Sequence, residues 1–323
     1  MGQIDLIEKK ALKNDFSGSE DVISYLDQNI SKFNRHFKNI KELLFEQAID
    51  KNYNEAFWNF VEIFDGVPLM ATKLNKDMGI IRARPNYNGE IFTNQSEISY
   101  NRDPSKINAG RFNAPGIPIF YGSLPVPNNG LNFSFTGCLE SCKALISQTD
   151  PAELQDMTIG LWRLNRVFPV VNLCFDEKHL RTNPELSNAT YSYLSDLKKN
   201  YSKEAFEFIF NFLRYFSQLS RMNMAHNECY YILSALYEAI RYYFTEVKRV
   251  PFTGIIFPSC ATEGIGLNTA LVPPAVDNCL DPKQVVMYRF ILDRSNNEYN
   301  SMPCSDLVDV IDGNFNITNY INN

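Results

Sequence analysis

The sequence predicts an α+β protein, with helices and strands in separate runs rather than in strict alternation. Two observations carry this. Apolar residues recur every three or four positions in the first quarter of the chain and again from about residue 203 to 246, the mark of amphipathic helices. Short apolar runs bounded by Gly, Pro and Asn fill most of the remainder, and no internal repeat is evident.

Residues 1–15 are polar and mixed in charge, a frayed start or a short helix. Ser17-Gly18-Ser19-Glu20 then supplies a capping signal, and Val22, Leu26, Ile30, Phe33, Phe37, Ile40 and Leu44 follow as one long amphipathic helix. A second helix runs from about Asn54 to Phe64, so residues 1–75 read as an all-helical leading module and residues 76–323 as a larger domain. Packing against that domain and a regulatory or partner-binding role both suit the module. From Gly79 the character changes: Gly79 to Arg84 reads as a strand ended by Pro85. Residues 86–110, rich in Asn, Ser and Pro, form a long loop carrying Tyr87, Tyr100 and Arg102, and loops of that length are often functional. Gly110 to Tyr121 reads as loop, Asn-Ala-Pro-Gly turn and strand, which sets Arg111 at the mouth of a strand pair. Leu139 to Ser147 reads as a helix beginning near Glu140, and Met157 to Leu164 and Val167 to Phe175 as strands. The stretches from Lys203 to about Arg221 and from about Asn227 to Glu246 are helices whose aromatic stripes belong to a core. Phe252 to Phe257 is a strand that delivers Ser259 at its C-terminal end, and Val285 to Leu292 is a further strand.

Composition narrows the function. The 323 residues are 45% hydrophobic and 21% charged, which suits a globular fold with a sizeable core. The net charge of −6 argues against binding nucleic acid by neutralising phosphates. The segment from Gly79 to Arg111 departs from that balance: Arg82, Arg84, Arg102, Lys106 and Arg111 outnumber Glu90, Glu97 and Asp103, so a small anionic ligand would prefer it. Seven cysteines in a chain of this length read as reduced thiols rather than a disulfide framework. Cys138 and Cys142 stand four apart, but the three histidines are remote and no second pair follows, so no metal is expected. No signal core, myristoylation motif or membrane span is visible, and the expected location is cytoplasmic. A monomer and a homo-oligomer are both compatible with the sequence.

Charged, aromatic and turn-forming residues are most concentrated in Gly110-Arg111-Phe112-Asn113-Ala114-Pro115-Gly116-Ile117-Pro118-Ile119-Phe120-Tyr121-Gly122-Ser123. The pattern Gly-Arg-Phe-Asn-x-x-Gly-x-Pro-x-x-Tyr-Gly-Ser resembles the signature of the RES-domain family, named for an Arg, a Glu and a Ser. Those residues would be Arg111, Glu140 in Cys138-Leu139-Glu140-Ser141-Cys142, and Ser259 in Gly254-Ile255-Ile256-Phe257-Pro258-Ser259. Ile81-Arg82-Ala83-Arg84-Pro85 resembles the family's opening strand, and Gly266-Leu267-Asn268-Thr269-Ala270-Leu271 resembles the family's segment after its Ser. The match covers roughly residues 78 to 293. Arg111 and Glu140 stand further apart than the family pattern, the surplus lying in Pro125 to Leu131, a loop insertion.

The resemblance implies an ADP-ribosyltransferase-like split β-sheet core, and an NAD-degrading enzyme that cleaves the bond between nicotinamide and ribose. The ADP-ribosyl group would pass to phosphate or water, in an intracellular toxin or defence effector that an antitoxin or regulatory protein blocks. Transfer to a protein side chain and non-catalytic nucleotide binding that signals to a partner are the alternatives. The residue types suit the chemistry. Glycosidic cleavage builds positive charge on the ribose, which the Glu140 carboxylate would oppose. Arg111 offers a bidentate fork to the pyrophosphate, and either Arg82 or Arg84, on one face of one strand, a second cation. The Tyr121 ring would stack on the cationic nicotinamide. Asn113 and Tyr100 complete the expected NAD-binding set. Ser259 has no histidine near it in sequence, with His226 the only approach, and is assigned to hydrogen bonding substrate and orienting Glu140. Each residue also has a plainer role: a surface Arg beside a turn, a Glu serving a helix dipole, a Ser capping the segment after a strand.

Overall fold

The computed structural model describes residues 4–6, 19–44, 49–125, 138–142, 145, 152–182, 184–222, 230–293, 295 and 298–320. In chain order these hold β1 (Ile4–Leu6), α1 (Ser19–Leu43), α2 (Ile49–Phe64), β2 (Ala71–Leu74) and β3 (Gly79–Asn86). Next come α3 (Gln95–Ile98), a 3-10 turn (Pro104–Lys106), β4 (Phe120–Leu124), a second 3-10 turn (Cys138–Ser141), β5 (Leu154–Leu164) and β6 (Phe168–Asn172). Four helices follow, α4 (Glu177–Thr182), α5 (Pro184–Asn200), α6 (Lys203–Ser220) and α7 (Tyr230–Tyr242), the last continuing as a π turn to Val247. The chain closes with β7 (Gly254–Pro258), β8 (Leu267–Leu271), α8 (Pro273–Cys279), β9 (Leu280–Asp293), β10 (Glu298–Pro303) and β11 (Val308–Asp309).

All eleven strands join one sheet in the order β1-β2-β6-β7-β8-β4-β3-β5-β9-β10, with β11 on β9. Every pairing is antiparallel except β6 with β7. This is the α+β class that the sequence predicts. The seam between β3 and β4 differs from the rest. β3 pairs with β5 over eight residues and β4 with β8 over five, yet β3 and β4 meet at the single pair Ile81↔Ser123.

That seam explains how β3 continues through Pro85 to Asn86 instead of stopping before it. Proline has no N–H, so its nitrogen must face away from the β5 ladder, and on the other side no strand among the described residues pairs beyond Ile81. The alternation of an antiparallel ladder then turns the N–H and C=O of Ala83, two residues earlier, toward the same open edge.

Helices cover one face of the sheet. Phe33, Phe37, Phe60, Phe64, Phe212 and Phe216, from α1, α2 and α6, share a buried cluster with Ile232 and Leu236 of α7 and with Val171, Ile255 and Phe257 of the sheet. The aromatic stripes predicted from spacing are this layer, and Phe37, Phe60 and Phe64 meet Phe212 edge-on at 5.4 to 6.3 Å between ring centres. On the other face Ile80, Phe120, Trp162, Val170 and Ile256 pack with Phe92, Ile98, Val276 and Phe315. The first 75 residues are therefore not all helical. Ala71–Leu74 is a strand registered against Phe168–Val171. Residues 86–110 are broken by α3, which Asn94 and Glu97 cap reciprocally, and by the first 3-10 turn. Where a helix is expected from Leu139, the described residues hold a 3-10 turn at Cys138–Ser141, with residues 143–144 and 146–147 outside the described set.

Candidate active site

The seam between β3 and β4 opens into a cavity of about 430 Å³. Its floor is one cross-strand row, Ile81, Ser123, Asn268 and Phe257, registered across β3, β4, β8 and β7. Side chains opposite one another in adjacent strands share a face, so four segments far apart in sequence present one surface.

Glu140 stands at the edge of that floor on the 3-10 turn and is mostly buried. Its Oε1 accepts three hydrogen bonds, from the Ser259 hydroxyl at 2.6 Å, the Asn268 amide at 2.9 Å and the Ala261 backbone N–H at 3.1 Å. Ser123 donates in turn to the Asn268 carbonyl oxygen at 2.7 Å, which fixes that amide with its NH2 group toward Glu140. Oε2 lies 3.6 Å from an Arg111 guanidinium nitrogen, a loose ion pair. One carboxylate oxygen is thus saturated and the other is held by charge alone.

Arg111 is 7% exposed. One of its terminal nitrogens donates to the backbone carbonyls of Ser220, the last residue of α6, and Met222, and the group lies over the Tyr230 ring at 5.6 Å. Burial is the largest influence and works against its charge, but Glu140, Tyr230 and Cys260 together outweigh it and raise its pKa. The fork expected to clamp a pyrophosphate is largely occupied by protein, which makes Arg111 the strut for Glu140.

The turn after Arg111 is latched by two predicted residues. The Tyr121 hydroxyl accepts from the Phe112 N–H and donates to the Asn113 side-chain oxygen, both at 2.9 Å. Asn113 in turn donates to the carbonyls of Asn108 and Ala114. Gly110 permits this closeness, since a Cβ there would meet the Asn113 oxygen at 2.3 Å. Burial pushes the Tyr121 hydroxyl well above the usual tyrosine range. Its ring still borders the cavity, as does Asn113.

The two strand arginines divide their work. Arg82 donates to three backbone carbonyls, those of Ile98, Ser99 and Tyr121, at 3.1, 3.1 and 2.6 Å, and stacks over Phe120. Arg84 borders the cavity with its guanidinium over the Phe92 ring at 5.4 Å, and no carboxylate or carbonyl partner is recorded for it among the described residues. Arg84 is therefore the cation with donors to offer, whereas Lys106, also at the cavity rim, pairs with Asp103 at 3.4 Å.

Two expected residues sit elsewhere. Ser259 is completely buried and does not border the cavity, so of its two assigned roles the geometry carries only the orientation of Glu140. Tyr100 is buried behind the cavity, where its hydroxyl donates to Asp277 at 2.7 Å, because α3 and the turn after it fold this part of the long loop toward α8. His226 and residues 126–131 of the loop insertion lie outside the described residues. Sequence reasoning missed Tyr230 and met Ser123 and Asn268 only as members of the resembling segments, with no role assigned. The available signal for Asn268 and Ser123 was a polar residue inside an otherwise apolar strand, which must find a partner.

Cys260, next to Ser259, is not poised as a nucleophile: burial and then the Glu140 charge push its thiol up, against the pull of Arg111. Among the described residues no group of three or more His, Cys, Asp or Glu side chains could hold a metal, and no helix is long and apolar enough to cross a membrane. No protein-family model matches the chain, and no curated protein matches it.

Proposed function

We propose that the cavity binds NAD and that Glu140 promotes cleavage of the nicotinamide–ribose bond, with the ADP-ribosyl group passing to phosphate or water. The observation that carries this reading is the convergence on one carboxylate of Arg111, Ser259 and Asn268, residues from three separate stretches. A carboxylate anchored by three donors through one oxygen is oriented before substrate arrives, and its second oxygen can oppose the charge that grows on the ribose. Arg84 supplies a guanidinium for the pyrophosphate. The N–H and C=O of Ala83 at the open edge of β3 suit a carboxamide, which needs one acceptor and one donor. The near-split between β3 and β4 favours an ADP-ribosyltransferase-like core. On this reading the chain works in the cytoplasm as a toxin or defence effector, and a blocking antitoxin would cover the cavity.

The test is direct. Purified protein incubated with NAD, with and without inorganic phosphate, should release nicotinamide, and the second product names the acceptor. Glu140→Gln should lower the rate by roughly 10² to 10³, the scale of one preorganised electrostatic group. Intact NAD in every arm, with wild type and variant alike, overturns the reading.

A further inference from the structure

A second concavity, of about 420 Å³, lies on the helical layer between α1 and α6, away from the sheet seam. Asn34 and Lys41 form one wall, Arg214 and Gln218 the other, and Phe37 and Tyr215 the floor. Among the described residues, those that line it include two cations and not one carboxylate, in a chain of net charge −6. The adjacent acids Glu42 and Glu207 pair with Lys38 and Lys203 instead. Lys41 rests over the Phe37 ring at 4.5 Å, and Arg214, only half-buried, has no recorded ion pair or hydrogen bond among the described residues. An arginine fork and a lysine with no counter-charge among the described residues, set above aromatic rings, form a site that attracts and can orient an anion. Asn34 to Lys41 spans about 10 Å of helix, at about 1.5 Å per residue, which suits a small molecule better than a peptide segment.

We propose that this groove is a binding site for a small phosphate-bearing anion, separate from the cavity at the sheet seam. Its position gives it a line to that cavity. Gln218 stands two residues before Ser220, and Ser220 and Met222 are the carbonyls that hold Arg111. An anion drawing Arg214 and Gln218 together loads the end of α6 on which the Arg111–Glu140 pair depends, so the site is placed to act as an effector site. The binding claim does not rest on the reaction proposed above.

Calorimetric titration of the full chain with inorganic pyrophosphate tests it, because that probe carries the phosphate chemistry and nothing else. Three proteins are compared: wild type, Lys41→Gln with Arg214→Gln, and Arg84→Gln in the main cavity. Binding that survives Arg84→Gln and weakens roughly tenfold or more in the groove variant is the expected result, the scale of lost charge-assisted bonds. Should Arg214→Gln fail to fold, Lys41→Gln alone decides by the same comparison. No binding to wild type, equal binding to wild type and groove variant, or binding lost only in Arg84→Gln overturns the proposal.

Discussion

At the scale of single residues, the cavity separates side chains that hold the site from side chains with donors to offer. Arg82 and Arg84 are alike in sequence, two apart on one strand, yet their partners differ completely. Arg82→Ala removes the donors of three backbone carbonyls and should cost about 2–4 kcal/mol of stability, measured by denaturant unfolding. Arg84→Ala should leave stability unchanged and, on the proposed reaction, raise KM for NAD roughly tenfold, the scale of one charge-assisted contact. The opposite pattern would reverse the assignment of the two. Ser259→Ala leaves Glu140 with two of its three donors to Oε1, so kcat for nicotinamide release should fall roughly ten- to hundredfold with KM little changed, as befits a positioning residue that does not reach the cavity.

At the scale of elements, one polar knot joins β5, β9 and the end of the chain. Arg289 grips Asp156 bidentately at 2.7 and 2.8 Å, and the Tyr320 hydroxyl donates to the same carboxylate at 2.7 Å. Burial alone would raise the Asp156 pKa, but the bonds from Arg289 and Tyr320 outweigh it and leave the carboxyl below its ordinary value. A depressed folded-state pKa means stability that is present above the ordinary carboxylate range and is lost as pH falls through the lower folded value. Asp156→Asn should therefore cost about 3–5 kcal/mol at neutral pH and flatten the loss of stability as pH falls below the ordinary carboxylate range, followed by thermal melts at a series of acid pH values. Equal acid sensitivity in both proteins would contradict the role of this carboxylate. Gly254, at the start of β7, has φ +147°, and a Cβ there would meet the Ala270 carbonyl at 2.3 Å and the Leu271 backbone at 2.9 Å. Both obstacles are backbone, so Gly254→Ala has no cheap relief.

At the scale of the whole molecule, the leading helices and the sheet behave as parts of one packed body. Phe33, Phe37, Phe60 and Phe64 are buried in the same cluster as Phe212 and Phe216, and β2 pairs along β6. Burying a phenylalanine is worth roughly 1.5–3 kcal/mol, so these four alone rival a typical net stability of about 5–15 kcal/mol. A chain lacking residues 1–75 should accordingly be unfolded or insoluble by circular dichroism and gel filtration. A soluble fragment with raised activity would instead favour the regulatory role that the sequence left open.

The sequence by itself determined the class of the fold, the helical layer and the stretch around Arg111, because periodicity, turn chemistry and residue type are local properties. The aromatic stripes at helical spacing became the cluster around Phe212, and the Asn-Ala-Pro-Gly turn became the latch of Asn113 on Tyr121. Only the tertiary structure decided which arginine keeps its donors, that Ser259 bonds Glu140 without bordering the cavity, and that Tyr100 faces Asp277. It alone brought Ser123 and Asn268 beneath the carboxylate. The physical reason is that a hydrogen-bond partner is set by strand register and loop path, and Ser259 meets Glu140 across 119 residues of chain. The passage of β3 through Pro85 has the same origin, since a proline is excluded from a strand only where its missing N–H would face a partner, and the open seam that removes that partner is made by β4, β8 and β5 together.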